Sequence, residues 1–377
     1  MNKKATASLA IGMFMLMNIN TPLAFAADSA EEQLGVQIEK NVTLTMQEAK
    51  ASNSKEKKDI NSATYKVDLK FIKEFEKNEK LVLHLNGKGS GFGLNKEISA
   101  LDYTNSSDGS TANDPAADIA KITELYYQRS FLNNKITANF GKLNLGGYFA
   151  NNNETSQFLT GSFTTDKLID APTKSLALIL NAATINQLDI AYAYFTPDPD
   201  IDFDRNGFNI IHGFNIIQGT YKSPKNGNYR LYGWLNNNKE YSSYKNNNSK
   251  ESGTYGLGIS ADQKINEAVA VFARVGYKNH CVAKTDESNL SFLLWNIGAQ
   301  IKGLKWSRIN DVIGFAVGQM YYRDTETYKN NSETQIELYY NFAVNDYISI
   351  APVIQYFRNQ DKKLSTLVNG IRISITF

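Results

Sequence analysis

The sequence predicts an all-β fold, a 16-stranded antiparallel transmembrane β-barrel with short periplasmic turns and long external loops. Three observations lead there. From near residue 36 to the end, apolar and polar residues alternate in repeated runs, as in strands that meet a different solvent on each face. The connections between runs are alternately short and long, which gathers the turns at one end of the molecule and the loops at the other. Beyond residue 26 no run of 18 apolar residues occurs, so no spanning helix competes.

The chain begins with a segment outside this pattern. "MNKK" is basic, "ATASLAIGMFMLM" is an apolar core, and Ala24 and Ala26 place small residues before Ala27. Residues 1–26 are therefore expected to be a cleaved signal peptide and 27–377 the barrel. Asn18, Asn20 and Pro22 interrupt the apolar run and argue against a membrane anchor. Loss of Lys3 and Lys4 takes the formal charge from +2 to 0. With Lys+Arg 40 against Asp+Glu 38, there is no basic excess to hold a nucleic acid. A single cysteine excludes an intrachain disulfide and multi-cysteine metal sites. Mean hydropathy is −0.39, as a barrel requires, since only alternate residues touch lipid.

Sixteen strands are expected near 36–46, 63–74, 80–88, 121–131, 135–142, 174–183, 187–195, 209–221, 228–238, 252–263, 268–279, 290–302, 311–322, 333–343, 347–357 and 365–377. In "ETQIELYYNF", Ile336, Leu338, Tyr340 and Phe342 oppose Gln335, Glu337, Tyr339 and Asn341. "NYRLYGWLN" sets Tyr229, Leu231 and Leu235 against Arg230, Tyr232, Trp234 and Asn236. "EKNE", "LNN", "INQ", "PKNGN", "INE" and "VND" read as tight turns, with "GLKWSRIND" a longer one. Between them fall polar stretches near 47–62, 89–120, 143–173, 196–208, 239–251, 280–289, 323–332 and 358–364. A soluble β-sandwich would also alternate, but it would not produce this rhythm of long and short connections.

"TELYYQRSFLNNKITANFGKLNLGGYF", "ETSQFLTGSF", "GNYRLYGW", "VFARVGY", "WNIGAQIKGL", "DVIGFAVG", "ETQIELYYNFAVNDYISIAPVIQY" and "GIRISITF" occur in this order. Together they resemble the carbohydrate-selective (OprB-type) porin family. The resemblance implies a 16-stranded pore, a third external loop folded inward, and passive, sugar-selective diffusion of small hydrophilic solutes across the outer membrane. It also implies that the last strand closes the barrel on the first, with its terminal aromatic read by barrel-assembly machinery. The amino-terminal S-layer-homology domain of some relatives is not expected, because the strand pattern starts about ten residues past Ala26. Where the family often carries acidic residues at the third-loop entrance, this chain has Asn144 and Ala150. The last loop, "QYFRNQDKK", replaces the usual Pro/Gly-containing run. Trimer and monomer are both open.

Strand parity assigns candidate residues. Lys66, Asp68, Glu124, Arg230, Arg274, Lys302, Glu337 and Arg372 are expected to point into the lumen and meet solute. Tyr126, Tyr232 and Trp234 point the same way and could stack on a sugar ring. Arg129 lies on the apolar parity near a short turn, where it can snorkel to the interface. In the final strand Ile371, Ile373, Ile375 and Phe377 are expected to face lipid, and Arg372, Ser374 and Thr376 the lumen.

Other motifs carry less. "LNGKGSGFG" does not match the G-x-x-x-x-G-K-[ST] of a phosphate loop, and no helix is expected to follow it. His280 and Cys281 are adjacent, so in extended chain they point apart. An outer-membrane hydrolase would need a nucleophile beside one of His84, His212 and His280, and no such motif accompanies them. A non-conducting structural or adhesive barrel is the other alternative. In "DPDIDFDRNGF", Asp202, Asp204, Asn206 and Gly207 repeat the first half of a calcium loop. The twelfth position, where a bidentate Glu belongs, is Gly213, so any calcium site near 198–207 would need Asp198, Asp200 or another loop to complete it.

Overall fold

In the computed structural model the described residues are 35–52, 57–92, 121–172, 175–185, 187–196, 213–237, 241–243, 253–279, 281–283, 291–323, 332–359 and 364–377. The strands are β1 (Val36–Ser52), β2 (Lys57–Glu76), β3 (Glu79–Phe92), β4 (Lys121–Phe131), β5 (Ile136–Lys142), β6 (Leu176–Ile185), β7 (Leu188–Phe195), β8 (Phe214–Ser223) and β9 (Gly227–Asn236). They continue as β10 (Tyr241–Ser243), β11 (Thr254–Lys264), β12 (Val269–Lys278), β13 (Cys281–Ala283), β14 (Ser291–Gly303), β15 (Arg308–Tyr322), β16 (Ser332–Ala343), β17 (Ile348–Asn359) and β18 (Leu364–Thr376). All but β10 and β13 form one closed antiparallel barrel of sixteen strands, each paired with its neighbours in sequence.

Closure comes from β1 against β18, in register from Asn41↔Thr376 to Ser52↔Ser365. At this seam Ile371, Ile373 and Ile375 pair with Met46, Leu44 and Val42, and the Phe377 N–H donates to the Lys40 carbonyl at 3.0 Å. The final strand is thus satisfied on both edges, as hydrocarbon demands of every backbone group. Arg372 opposes Thr45 and is buried on the inner side, while Ile371 and Phe377 are exposed on the outer side.

The expected strand positions agree with the sixteen barrel strands, with instructive differences. The first connection, expected as a long stretch over 47–62, is mostly strand. Gln47↔Ser62 through Ser52↔Lys57 continue the β1–β2 ladder beyond the alternating region. Ladder formation needs backbone pairing, not an apolar outer face. Beyond Gln47 the outward residues are Glu48, Lys50 and Ser52, while Ala49 and Ala51 are buried inside against Phe357 and Val368. The polarity of the two faces thus inverts and the lipid-facing pattern ends. The β10–β13 pair, Tyr241↔Ala283 to Ser243↔Cys281, joins two external loops and was not foreseen. One-turn helices at Leu145–Gly147, Gly161–Thr164 and Leu304–Trp306 are too short to give a helical period.

The outer face carries the exposed apolar residues. Ile217, Leu231, Leu257, Ile259, Ile297 and Phe315 form a band around β8 to β15. Phe75, Phe131, Tyr221, Tyr229 and Tyr347 stand exposed near the short turns, with Tyr255 and Tyr277 near the long loops, the two aromatic girdles of a membrane barrel. Arg129 reaches back from the turn end of β4 to Glu79 at 3.2 Å and lies over Phe131. Leu231, 63% exposed at the middle of β9, sits at the depth where a cation is most costly. Leu231→Arg should destabilise the folded barrel by roughly 2–4 kcal/mol, measurable by reversible denaturant unfolding in lipid vesicles.

Candidate functional site

Most of the buried apolar residues described lie inside the barrel, between the wall and the third long loop, which leaves β5 after Lys142 and rejoins the barrel at β6. The loop root packs Leu143, Leu145 and Phe149 against Tyr126, Ile179, Phe214 and Trp234. Further on, Phe158, Leu159 and Phe163 pack against Phe272, Tyr339 and Val353. Leu168 then meets Leu294 and Met320. Because these partners span β4 to β17, the loop lies across the lumen, as the resemblance implied.

Polar anchors fix it. Glu337, fully buried, accepts the N–H groups of Leu159 and Thr160, both at 2.7 Å, and Gln355 donates to the Thr160 hydroxyl at 2.9 Å. Ser162 bonds Gln335, and Asn296 donates to the Ser162 carbonyl at 2.6 Å. The Arg274 guanidinium donates to the carbonyls of Ser162, Phe163 and Ala150 at 3.3, 3.1 and 3.0 Å. From β8, Gln218 accepts the Ala150 N–H at 2.8 Å. Tyr232 donates to Asp166 Oδ2 at 2.6 Å, and Asp166 Oδ1 accepts the Leu168 N–H at 2.9 Å. Gly276 makes room for this: a Cβ there would come within 2.6 Å of Asp166 Oδ2. Burial, together with the Arg274 guanidinium, pushes the Lys167 ammonium down to about 8 from 10.5. The docked loop therefore binds fewer protons than the undocked loop, and docking strengthens as pH rises from about 8 toward 10.5.

These contacts correct several expectations. Tyr126, Tyr232 and Trp234 face inward but are 8%, 1% and 4% exposed, so they present no open face to a sugar. The cause is a cross-strand pairing. Tyr232 and Trp234 lie flat over Gly258 and Gly256, the residues directly opposite on β11, and the loop covers them from above. Trp234 stacks on Phe214 at 5.8 Å instead of on solute. Arg274 and Glu337 hold the loop. Arg230 is buried in an ion pair with Asp262 at 2.5 Å, and Arg372 is buried in the wall. All four side chains are buried rather than open to the lumen. Lys302 is exposed at the short-turn end, away from the loop anchors.

Lys66, Asp68 and Glu124 keep their expected place. They belong to a strip on β1–β4 whose inward charged side chains remain partly exposed. Lys66 Nζ lies 2.9 Å from Asp68, and Lys70 Nζ 3.1 Å from Glu39. His84 stands between Asp68 at 3.1 Å and Glu124 at 3.2 Å, one on each ring nitrogen. Asn86 donates to Asp68 at 2.6 Å. Sequence reasoning treated His84 only as a catalytic candidate and passed over Glu39, Lys70 and Asn86. Parity could have found them, since Val82, His84 and Asn86 alternate with Leu81, Leu83 and Leu85. Asp202, Asp204 and Asn206 lie outside the described residues, as do His212 and His280. Among the described residues no cluster of His, Cys, Asp or Glu is arranged to hold a metal.

A closed 16-strand antiparallel barrel, apolar outside, polar within and crossed by its third long loop, is a porin. The chain belongs to the OprB family of carbohydrate-selective porins, whose family model matches residues 81–377. Its fold is that of OprB from Pseudomonas putida: the high-pH structure superposes with a TM-score of 0.74 at 14% identity, over 93% of this chain and 96% of that one. The low-pH structure of the same protein gives 0.59 at 13% identity, over 95% and 98%. An anion-selective porin from Comamonas acidovorans gives 0.58 at 8% identity, over 91% and 100%. A search of curated proteins by sequence finds no match. The protein is a passive diffusion channel of the outer membrane.

Proposed function

We propose that this porin passes small uncharged hydrophilic solutes, sugars foremost, through the space between the third loop and the β1–β4 wall. One observation carries the reading. The loop packs against the inner wall from β4 to β17, while the charges left open on β1–β4 include the opposed pairs Lys66 with Asp68 and Lys70 with Glu39. Opposed charges hydrate a pore and bond hydroxyl groups without attracting ions of one sign. A 16-stranded barrel is wide enough to hold water beside such a loop. Liposome swelling tests this: sugars should enter faster than amino acids or anions of matched size, and a marked preference for anions would overturn the sugar reading.

The same proposal includes removal of residues 1–26 on export and recognition of Ile371, Ile373, Ile375 and Phe377 by assembly machinery. From sequence alone it also assigns weak calcium binding, about 10⁻⁴–10⁻³ M, to Asp202, Asp204 and Asn206. Calorimetry in which wild type and the Asp202→Ala, Asp204→Ala variant give the same heats would remove the calcium assignment.

A further inference from the structure

We propose that His84 sets the ion selectivity of the pore by its protonation. This deepens the reading of an uncharged-solute channel and rests on it. Asp68 comes from β2 and Glu124 from β4, and the ring on β3 lies between them, within 3.1 Å and 3.2 Å through Nε2 and Nδ1. Two carboxylates can both accept from one imidazole only when both nitrogens carry protons, so this arrangement is that of an imidazolium. The carboxylates sit on opposite sides of the ring and converge on no common point, which separates the site from a metal centre.

The charges around the ring decide the effect. From β2, Lys66, Asp68 and Lys70 face it; from β4, Glu124 and, across from Asn86, Lys121; from β1, Glu39 enters through its pair with Lys70. Asn86 and Tyr126 add polar groups without formal charge. Glu39 offsets Lys70, and Asp68 offsets Lys66. Glu124 bonds His84, so loss of the imidazolium proton makes the strip more negative by one charge. Lys66, Asp68, Lys70, Glu39, His84 and Glu124 retain exposure to the lumen, between 16% and 43%. Glu124 also ties the strip to the loop, because its Oε1 accepts the N–H of Asn144 at the loop root at 3.1 Å.

The experiment is a reversal-potential measurement across planar bilayers in a KCl gradient at low ionic strength, where screening is weakest. Wild type, His84→Gln and His84→Arg are compared from about pH 6 to about pH 10. One unpaired charge about 10 Å from a permeating ion in water should change the cation-to-anion permeability ratio roughly fourfold. Wild type should shift toward cations as pH rises. His84→Gln should show the high-pH preference throughout, and His84→Arg the low-pH preference throughout. A flat wild-type profile overturns the inference, as does a His84→Gln profile matching wild type. Absence of channels in all three would instead count against the diffusion reading itself.

Discussion

Replacing Glu337 with alanine should widen the pore. Its carboxylate is fully buried and takes the N–H groups of Leu159 and Thr160 at 2.7 Å each. Hydrogen bonds to a charged acceptor contribute about 1.5–3 kcal/mol apiece, and truncation leaves both donors without that partner. Loss of roughly 3–6 kcal/mol lowers the docked-to-undocked ratio of the loop by about 10²–10⁴. The barrel ladder is untouched, so the variant should still fold, with a larger single-channel conductance and weaker discrimination by solute size. Unchanged conductance in correctly folded Glu337→Ala protein would mean that this carboxylate does not hold the loop.

Phe158→Ala should loosen the same loop by a different route. The ring is fully buried and meets Phe163, Phe272 and Tyr339 edge-on, with centroids 5.7, 5.4 and 5.0 Å apart. A phenylalanine truncated inside a packed cluster costs about 3–5 kcal/mol, part of it from the cavity left behind. The Glu337 bonds remain, so the expected signature is flicker between a narrow and a wide level. Combined with Glu337→Ala, the effects should fall short of their sum, because residues 158–160 undock as one piece. Full additivity would show that the two contacts hold separate parts of the loop.

Both predictions turn on residues whose place was legible in the sequence while their role was not. Parity put Glu337 and Arg274 inside, and the barrel confirms the side. Parity says nothing of what meets a side chain across the lumen, and that is decided by the loop. Loop residues such as Thr160, Ser162 and Asp166 follow no strand period, and their partners lie up to 195 positions away. Tyr232 and Trp234 illustrate the same gap: the glycines beneath them are on β11, and only the register Tyr232↔Gly258 brings them together. Strand positions were legible because lipid and water impose alternation on each strand locally. The β1–β2 hairpin beyond Gln47 was not, because there Glu48 and Lys50 face outward and Ala49 and Ala51 are buried inside, the reverse of a lipid-facing strand. His84 was within reach of parity, but reading histidine first as a catalytic residue hid its place between two carboxylates.

The central claim is that this barrel is an open, water-filled channel narrowed by a docked third loop. Single-channel recording of the purified protein beside its Glu337→Ala variant tests it most directly. The account predicts discrete, long-lived open levels for wild type and larger ones for the variant. Silent membranes from correctly folded wild-type protein would contradict it.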